Sequence, residues 1–123
     1  YEAKFEKEIL CPLEYGLDIF GGKWKSRIIC VLAANGIMRY SALRKELNNI
    51  TDAVLAAMLK EMIGDGILSR KQYETIPPKV EYTLTEKGQS VLPILQHICQ
   101  WSRNYTETDL EKYLAPCNTC EQL

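Results

Sequence analysis

The stretch Glu74-Thr-Ile-Pro-Pro-Lys-Val-Glu-Tyr-Thr-Leu-Thr-Glu-Lys-Gly88 decides how this chain is read. Within it, Lys79 to Leu84 alternates, with Val80, Tyr82 and Leu84 on one side and Lys79, Glu81 and Thr83 on the other. That period of two marks a half-buried strand. Upstream, Ile67 to Thr75 is rich in β-compatible residues, and Pro77-Pro78 falls between the two runs. Neither proline has to donate a ladder hydrogen bond there, so the segment predicts a β-hairpin with a stiff tip. Thr85 follows at once as a helix N-cap.

Working outward, the preceding segment is the clearest helix. Val54, Leu55, Met58, Leu59 and Met62 form an apolar stripe, with Thr51 as its N-cap and Gly64-Asp65-Gly66 as its stop. Before it, Tyr40, Leu43 and Leu47 share one face of a short helix within Ile37 to Leu47. Trp24, Ile28, Val31 and Leu32 make another, closing at Asn35-Gly36, and Leu13, Leu17 and Phe20 an earlier one that starts at Pro12. After the hairpin, a long helix runs from the Thr85 cap to about Arg103, slightly bent at Pro93. Val91, Leu92, Leu95, Ile98 and Cys99 form its stripe, widened by Ile94 and Trp101. A last short helix is expected around Thr108 to Leu114, then a polar tail. No linker or repeat divides residues 1–123, so a single domain is expected.

Three helices followed by a two-stranded ribbon describe a winged helix-turn-helix, mainly α with a small β-hairpin. In that architecture the helix before the ribbon enters a DNA major groove. Charge agrees in its distribution rather than its sum. The net charge is only −1, yet Ile19 to Lys45 holds six basic residues and no acidic one, between acidic ends. On this reading Thr51, Asp52, Ala56 and Lys60 lie nearest the bases. Arg70, Lys71 and Lys79 on the wing, with Arg39 and Arg44 around the short third helix, reach the phosphate backbone. Lys23, Lys25 and Arg27 are assigned to solubility or peripheral contacts. Alanines instead of Arg, Asn or Gln on the reading helix leave bidentate base readout without a donor.

Five cysteines, in a chain without a signal-peptide pattern or an apolar run long enough to span a membrane, fit reduced thiols in a cytoplasmic protein. Cys11 precedes Pro12 at a helix start, near unpaired N–H groups and the positive end of the helix dipole, a setting that suits a reactive thiol. Cys117 and Cys120 form a lone C-x-x-C in the tail, with neither the ligands for zinc nor the βαβ setting of a thiol oxidoreductase. Cys30 and Cys99 fall on apolar faces and read as core. His97 has no triad partners and no glycine-rich phosphate loop is present, so catalysis, cofactors and metals are not expected.

The motifs Cys11-Pro12, Gly22-Lys23-Trp24-Lys25, Met38-Arg39-Tyr40, and Val80-Glu81-Tyr82 leading to Thr85-Glu86-Lys87-Gly88 resemble the HxlR-type family of bacterial transcription regulators, relatives of the MarR class. The resemblance runs from Cys11 to about Trp101. It implies a homodimer on a double-stranded, pseudo-palindromic operator, more a repressor than an activator. The terminal helices, within 1–22 and 89–115, would form the interface through Leu13, Leu17, Ile94, Ile98 and Trp101. It also implies that Cys11 senses oxidants or electrophiles; a small-molecule effector fits as well. A winged helix serving only as a protein-interaction module is the other reading the near-neutral charge permits.

Overall fold

The computed structural model describes residues 11–105. The helix expected around Thr108 to Leu114, the Cys117/Cys120 pair, and residues 1–10 and 106–115 of the two expected dimerisation segments lie outside them. The described elements are α1 (Pro12–Phe20), α2 (Lys25–Asn35), β1 (Ile37–Met38), α3 (Tyr40–Leu47), α4 (Asp52–Gly64), β2 (Leu68–Tyr73), β3 (Lys79–Leu84), α5 (Glu86–Ser90) and α6 (Leu92–Arg103).

α2 is the central strut. It touches α1, α3, α5, α6 and both β1 and β3, and Ile28, Ile29 and Leu32 are buried on it. Around it close Leu43 and Leu47 of α3, Leu55 and Met62 of α4, and Ile67 and Leu68 at the start of β2. Removing an aliphatic side chain of this size from water contributes about 1.5–3 kcal/mol. One contiguous cluster of such residues therefore binds the helices to the ribbon.

The α3–α4 turn passes through Asn48 (φ 51°) and Asn49 (φ 39°), the left-handed region that asparagine tolerates better than other residues with a Cβ. Thr51 Oγ1 then accepts a hydrogen bond from Val54 N at 3.2 Å, capping α4 as expected. At the far end Gly66 N–H bonds to Ile63 O (3.0 Å) and Ile67 N–H to Met62 O (2.9 Å). These are the two bonds of a Schellman stop, and Gly66 takes the positive φ (79°) that the motif requires. α4 ends where the first wing strand must begin.

The sheet has three strands in the order β1-β3-β2, all antiparallel. Ile37 and Met38, read from sequence as the start of the third helix, instead pair with Thr83 and Tyr82. A two-residue strand leaves no periodicity to detect. The long C-terminal helix is also two helices. Thr85 caps only α5, through Gly88 N at 3.1 Å, and α6 starts at Leu92 with Pro93 in its first turn. Lacking an N–H, Pro93 cannot continue the ladder from Gln89, so the chain breaks at Val91 instead of bending.

Candidate nucleic-acid interface

α4 is covered on one side only. Leu55, Leu59 and Met62 are buried, while Ala53, Ala56, Ala57 and Lys60 are exposed. The alternation of burial at helical spacing leaves a smooth outer ridge of three methyl groups with one ammonium. Small side chains let a helix backbone approach a groove closely.

The N-terminus of α4 is held by α3. Arg44 Nε pairs with Asp52 Oδ1 at 2.8 Å, and Tyr40 donates its phenolic O–H to the same oxygen at 2.9 Å. Desolvation, reinforced by that hydrogen bond to a carboxylate, raises the Tyr40 phenol above its ordinary pKa. Asp52 and Arg44 were both expected near DNA. The structure brings them together as an ion pair that links α3 to the start of α4, with both side chains about half or more exposed. Thr51 likewise commits its oxygen to the cap.

The wing sorts its cations by face. β2 and β3 pair Leu68 with Leu84, Arg70 with Tyr82, Lys71 with Glu81, Gln72 with Val80 and Tyr73 with Lys79. Successive strand residues point oppositely. Arg70 therefore shares the face of Tyr82 and Val80, and Lys71 and Lys79 share the other. On that second face the Lys71 and Lys79 ammonium groups each lie 4.8 Å from the centroid of the Tyr73 ring. Tyr73 donates to Glu81 Oε1 at 2.8 Å, and Lys79 Nζ lies 3.3 Å from Glu81 Oε2. Arg70 and Lys71 stay exposed, whereas Lys79 is half-buried and charge-paired. Arg39 is exposed at the N-cap of α3.

The Tyr73 hydrogen bond is the main cause holding the Glu81 carboxyl below the usual range, with Lys79 and then Arg39 adding to it. A carboxyl lowered on folding contributes stability above its unfolded value, about 4.3 for glutamate. That contribution is lost as pH falls through the lower folded value. NMR titration of Glu81 should show this depressed midpoint, and Tyr73→Phe should move it back toward the ordinary one; an unmoved midpoint would remove Tyr73 as the cause.

Lys25 is the largest departure from the sequence reading. It is buried, not peripheral. Its ammonium pairs with Glu61 of α4 and donates to the Asp18 carbonyl of α1 at 2.7 Å. Its neighbours Lys23 and Arg27 stay exposed, their cations 4.8 and 4.9 Å from the centroid of the Trp24 ring. Among the described residues, no group of three or more His, Cys, Asp or Glu is placed to hold a metal ion.

The other exposed feature is apolar. Leu13 and Leu17 on α1 and Ile94, Ile98 and Trp101 on α6 are all about half or more exposed, joined by Tyr105 beyond the helix end. Tyr105 packs against Trp101 with centroids 5.2 Å apart and the rings tilted by 43°. Leu95 and Val91 face the core, so α6 carries two apolar faces and buries one. Cys11 is exposed at the N-cap of α1, and its thiol makes no cap hydrogen bond. Cys30 and Cys99 are half-buried.

A family model described as HxlR-like helix-turn-helix matches residues 19–110. The chain belongs to that family. Across 103 residues, HxlR-like identity with the HTH-type transcriptional regulator YkvN of Bacillus subtilis is 43%, covering 84% of this chain and 86% of YkvN. The solved structure of the HTH-type regulator YtcD superposes with a TM-score of 0.76 at 38% identity, covering 80% of this chain and 99% of that one. The redox regulator HypR in its reduced form gives 0.73 at 37% identity, covering 84% and 100%. With these HxlR-like relatives the winged helix-turn-helix architecture and the assignment to transcription regulators of the HxlR and MarR type stand together. No helix among the described residues is long and apolar enough to cross a membrane.

Proposed function

We propose that two copies of this chain pair through the exposed apolar faces of α1 and α6 and bind a pseudo-palindromic DNA operator, acting in the cytoplasm as a repressor. The carrying observation is the half-covered α4, which keeps Ala53, Ala56, Ala57 and Lys60 open to a groove while its opposite face builds the core. Lys60 with Arg70 and Lys71 on the wing supply phosphate contacts, and Arg39 reaches the flanking backbone. Arg44 and Asp52, paired with each other, and Thr51, committed to the cap, stay exposed at the start of α4, while Lys79 steadies the wing. Ala56 faces the bases. Leu13, Leu17, Ile94, Ile98 and Trp101 would leave water together on pairing, which gives their exposure a reason. The chain acts by binding, with no cofactor.

Cys11 is the proposed sensing thiol. Its exposure at the head of α1, a helix of the proposed dimer seam, supports this reading, as does likeness to a protein described as a redox regulator. An oxidant or electrophile that modifies Cys11 would alter pairing and with it the spacing of the two α4 helices. One experiment tests pairing and DNA binding together: duplex binding measured across a salt series for the parent chain and for Ile98→Asp, alongside their masses in solution. The parent should be dimeric, with affinity falling steeply as salt rises. Ile98→Asp should be monomeric and weaker by roughly a hundredfold or more, since one half-site then binds alone. A dimer that ignores duplex DNA at low salt would favour the protein-interaction module instead.

A further inference from the structure

We propose that Ile76 is a minor-groove contact, an apolar tip by which the wing discriminates against guanine's exocyclic amino group. The proposal rests on the DNA-binding reading above and adds the residue and the groove feature it senses. Ile76 is fully exposed, more so than any other large apolar side chain among the described residues. The other exposed large apolar residues lie on α1, on α6 and just beyond its end, or at Ile37 of β1, whereas Ile76 stands at the end of the ribbon.

The tip is braced. Thr75 N–H bonds to Tyr73 O at 2.9 Å and Thr75 Oγ1 donates to Pro77 O at 2.8 Å, while Pro77 and Pro78 restrict the following backbone. A side chain held out on so stiff a support loses little freedom when it meets a partner. The ribbon behind it carries one exposed cation on each face, Arg70 on one and Lys71 on the other; Lys79, on the face of Lys71, is half-buried and paired with Glu81. The minor groove is walled by two phosphate strands and is only about 6 Å wide. A ribbon entering it tip-first would present one cation to each wall. Lys71 stands two residues, roughly 7 Å, behind the end of the strand at Tyr73, where a lysine can lean toward the groove rim. Apolar side chains inserted from the minor groove, alongside cationic ones, are a recognised way of engaging it.

The chemistry of the groove floor sets the preference. A·T pairs present only acceptors there, while G·C adds the N2 amino group, which raises the floor and leaves a donor unpaired against an alkyl chain. Glu74, exposed beside the tip, works against the approach through its charge.

The test uses the full chain and duplexes enriched by it from a random-sequence pool. Flanking pairs that the wings reach are then set to G·C and, in a second set, to I·C, since deoxyinosine deletes the N2 amino group and leaves the major-groove edge unchanged. The parent chain should bind the inosine duplexes roughly tenfold more tightly, the affinity equivalent of burying part of one aliphatic side chain. Ile76→Ala should lose that difference with an unchanged Tm, its side chain having no intramolecular packing to lose. Glu74→Gln should tighten binding to every duplex. An inosine effect that is absent, or equal in the parent and Ile76→Ala, overturns the proposal. Failure of the parent chain to retain any duplex from the pool overturns the DNA-binding reading itself, and the two failures are distinct.

Discussion

Glu61→Ala is expected to destabilise the fold by about 3–5 kcal/mol, the cost of stranding a buried charge. Lys25 and Glu61 side chains keep only 10% and 9% of their exposure, so the ammonium left behind has little access to water. Its remaining bond to the Asp18 carbonyl, at 2.7 Å, satisfies one of three N–H donors. The exposed pairs offer the contrast. Arg44 and Asp52 are 48% and 70% exposed, and such pairs contribute about 0–1 kcal/mol. The position also matters, because Lys25 ties the end of α1 and the start of α2 to the last turn of α4, joining the expected dimer seam to the expected reading helix. Replacing both partners, as Lys25→Met with Glu61→Met, removes charge and counter-charge together and should recover most of the loss. Urea melts of the three proteins measure it. A Glu61→Ala midpoint close to that of the parent, or a double variant no better than Glu61→Ala, would show that the pair is not buried in solution as it is here.

The difference between Lys25 and its neighbours shows where the sequence is readable. Signals that act within one turn came through: Thr51 and Thr85 as caps, the Gly64-Asp65-Gly66 stop, the stripe of α4, and the alternation of Lys79 to Leu84. Each is a local competition that nearby residues decide. Lys25 was misread because its partner is 36 residues away, and nothing local distinguishes a lysine that folds inward from one that solvates a helix. β1 was missed for the same reason, since only the register against Thr83 and Tyr82 makes two residues a strand. The candidate interface was legible as a set of charges but not as a set of contacts. Arg44 and Lys79 are in ion pairs within the chain, and which cations remain unpaired depends on tertiary geometry. Arg70 and Lys71 are the opposite case: period two already places adjacent strand residues on different faces, and grouping them by charge alone hid it.

The second large effect is expected at Gly88. Within a helix, Gly→Ala normally stabilises by about 1 kcal/mol through propensity. Here a Cβ would stand 2.3 Å from the Ile67 carbonyl oxygen, 3.3 Å from its carbon and 3.1 Å from Leu84 Cδ2. The oxygen is not free to retreat, because it accepts Thr85 N–H at 3.0 Å and Thr85 Oγ1 also lies at 3.0 Å. Nor can α5 move away without stretching its cap, Gly88 N–H to Thr85 Oγ1 at 3.1 Å. The clash is with backbone, so the steric cost should outweigh propensity and leave a net loss of about 3 kcal/mol. For a domain of this size that lowers Tm by roughly 10 °C. Gly64→Ala is the control: it lies in α4 with nothing within 4 Å of its Cβ, and should be neutral or slightly stabilising. Equal melting of the two variants would mean that α5 and the start of β2 are not in close approach. A large loss confined to Gly88→Ala would explain the Thr-Glu-Lys-Gly segment as one device. Its threonine caps α5 and bonds to Ile67, and its glycine lets α5 rest on the same carbonyl. Together they set where α6, with Ile94, Ile98 and Trp101, emerges from the wing.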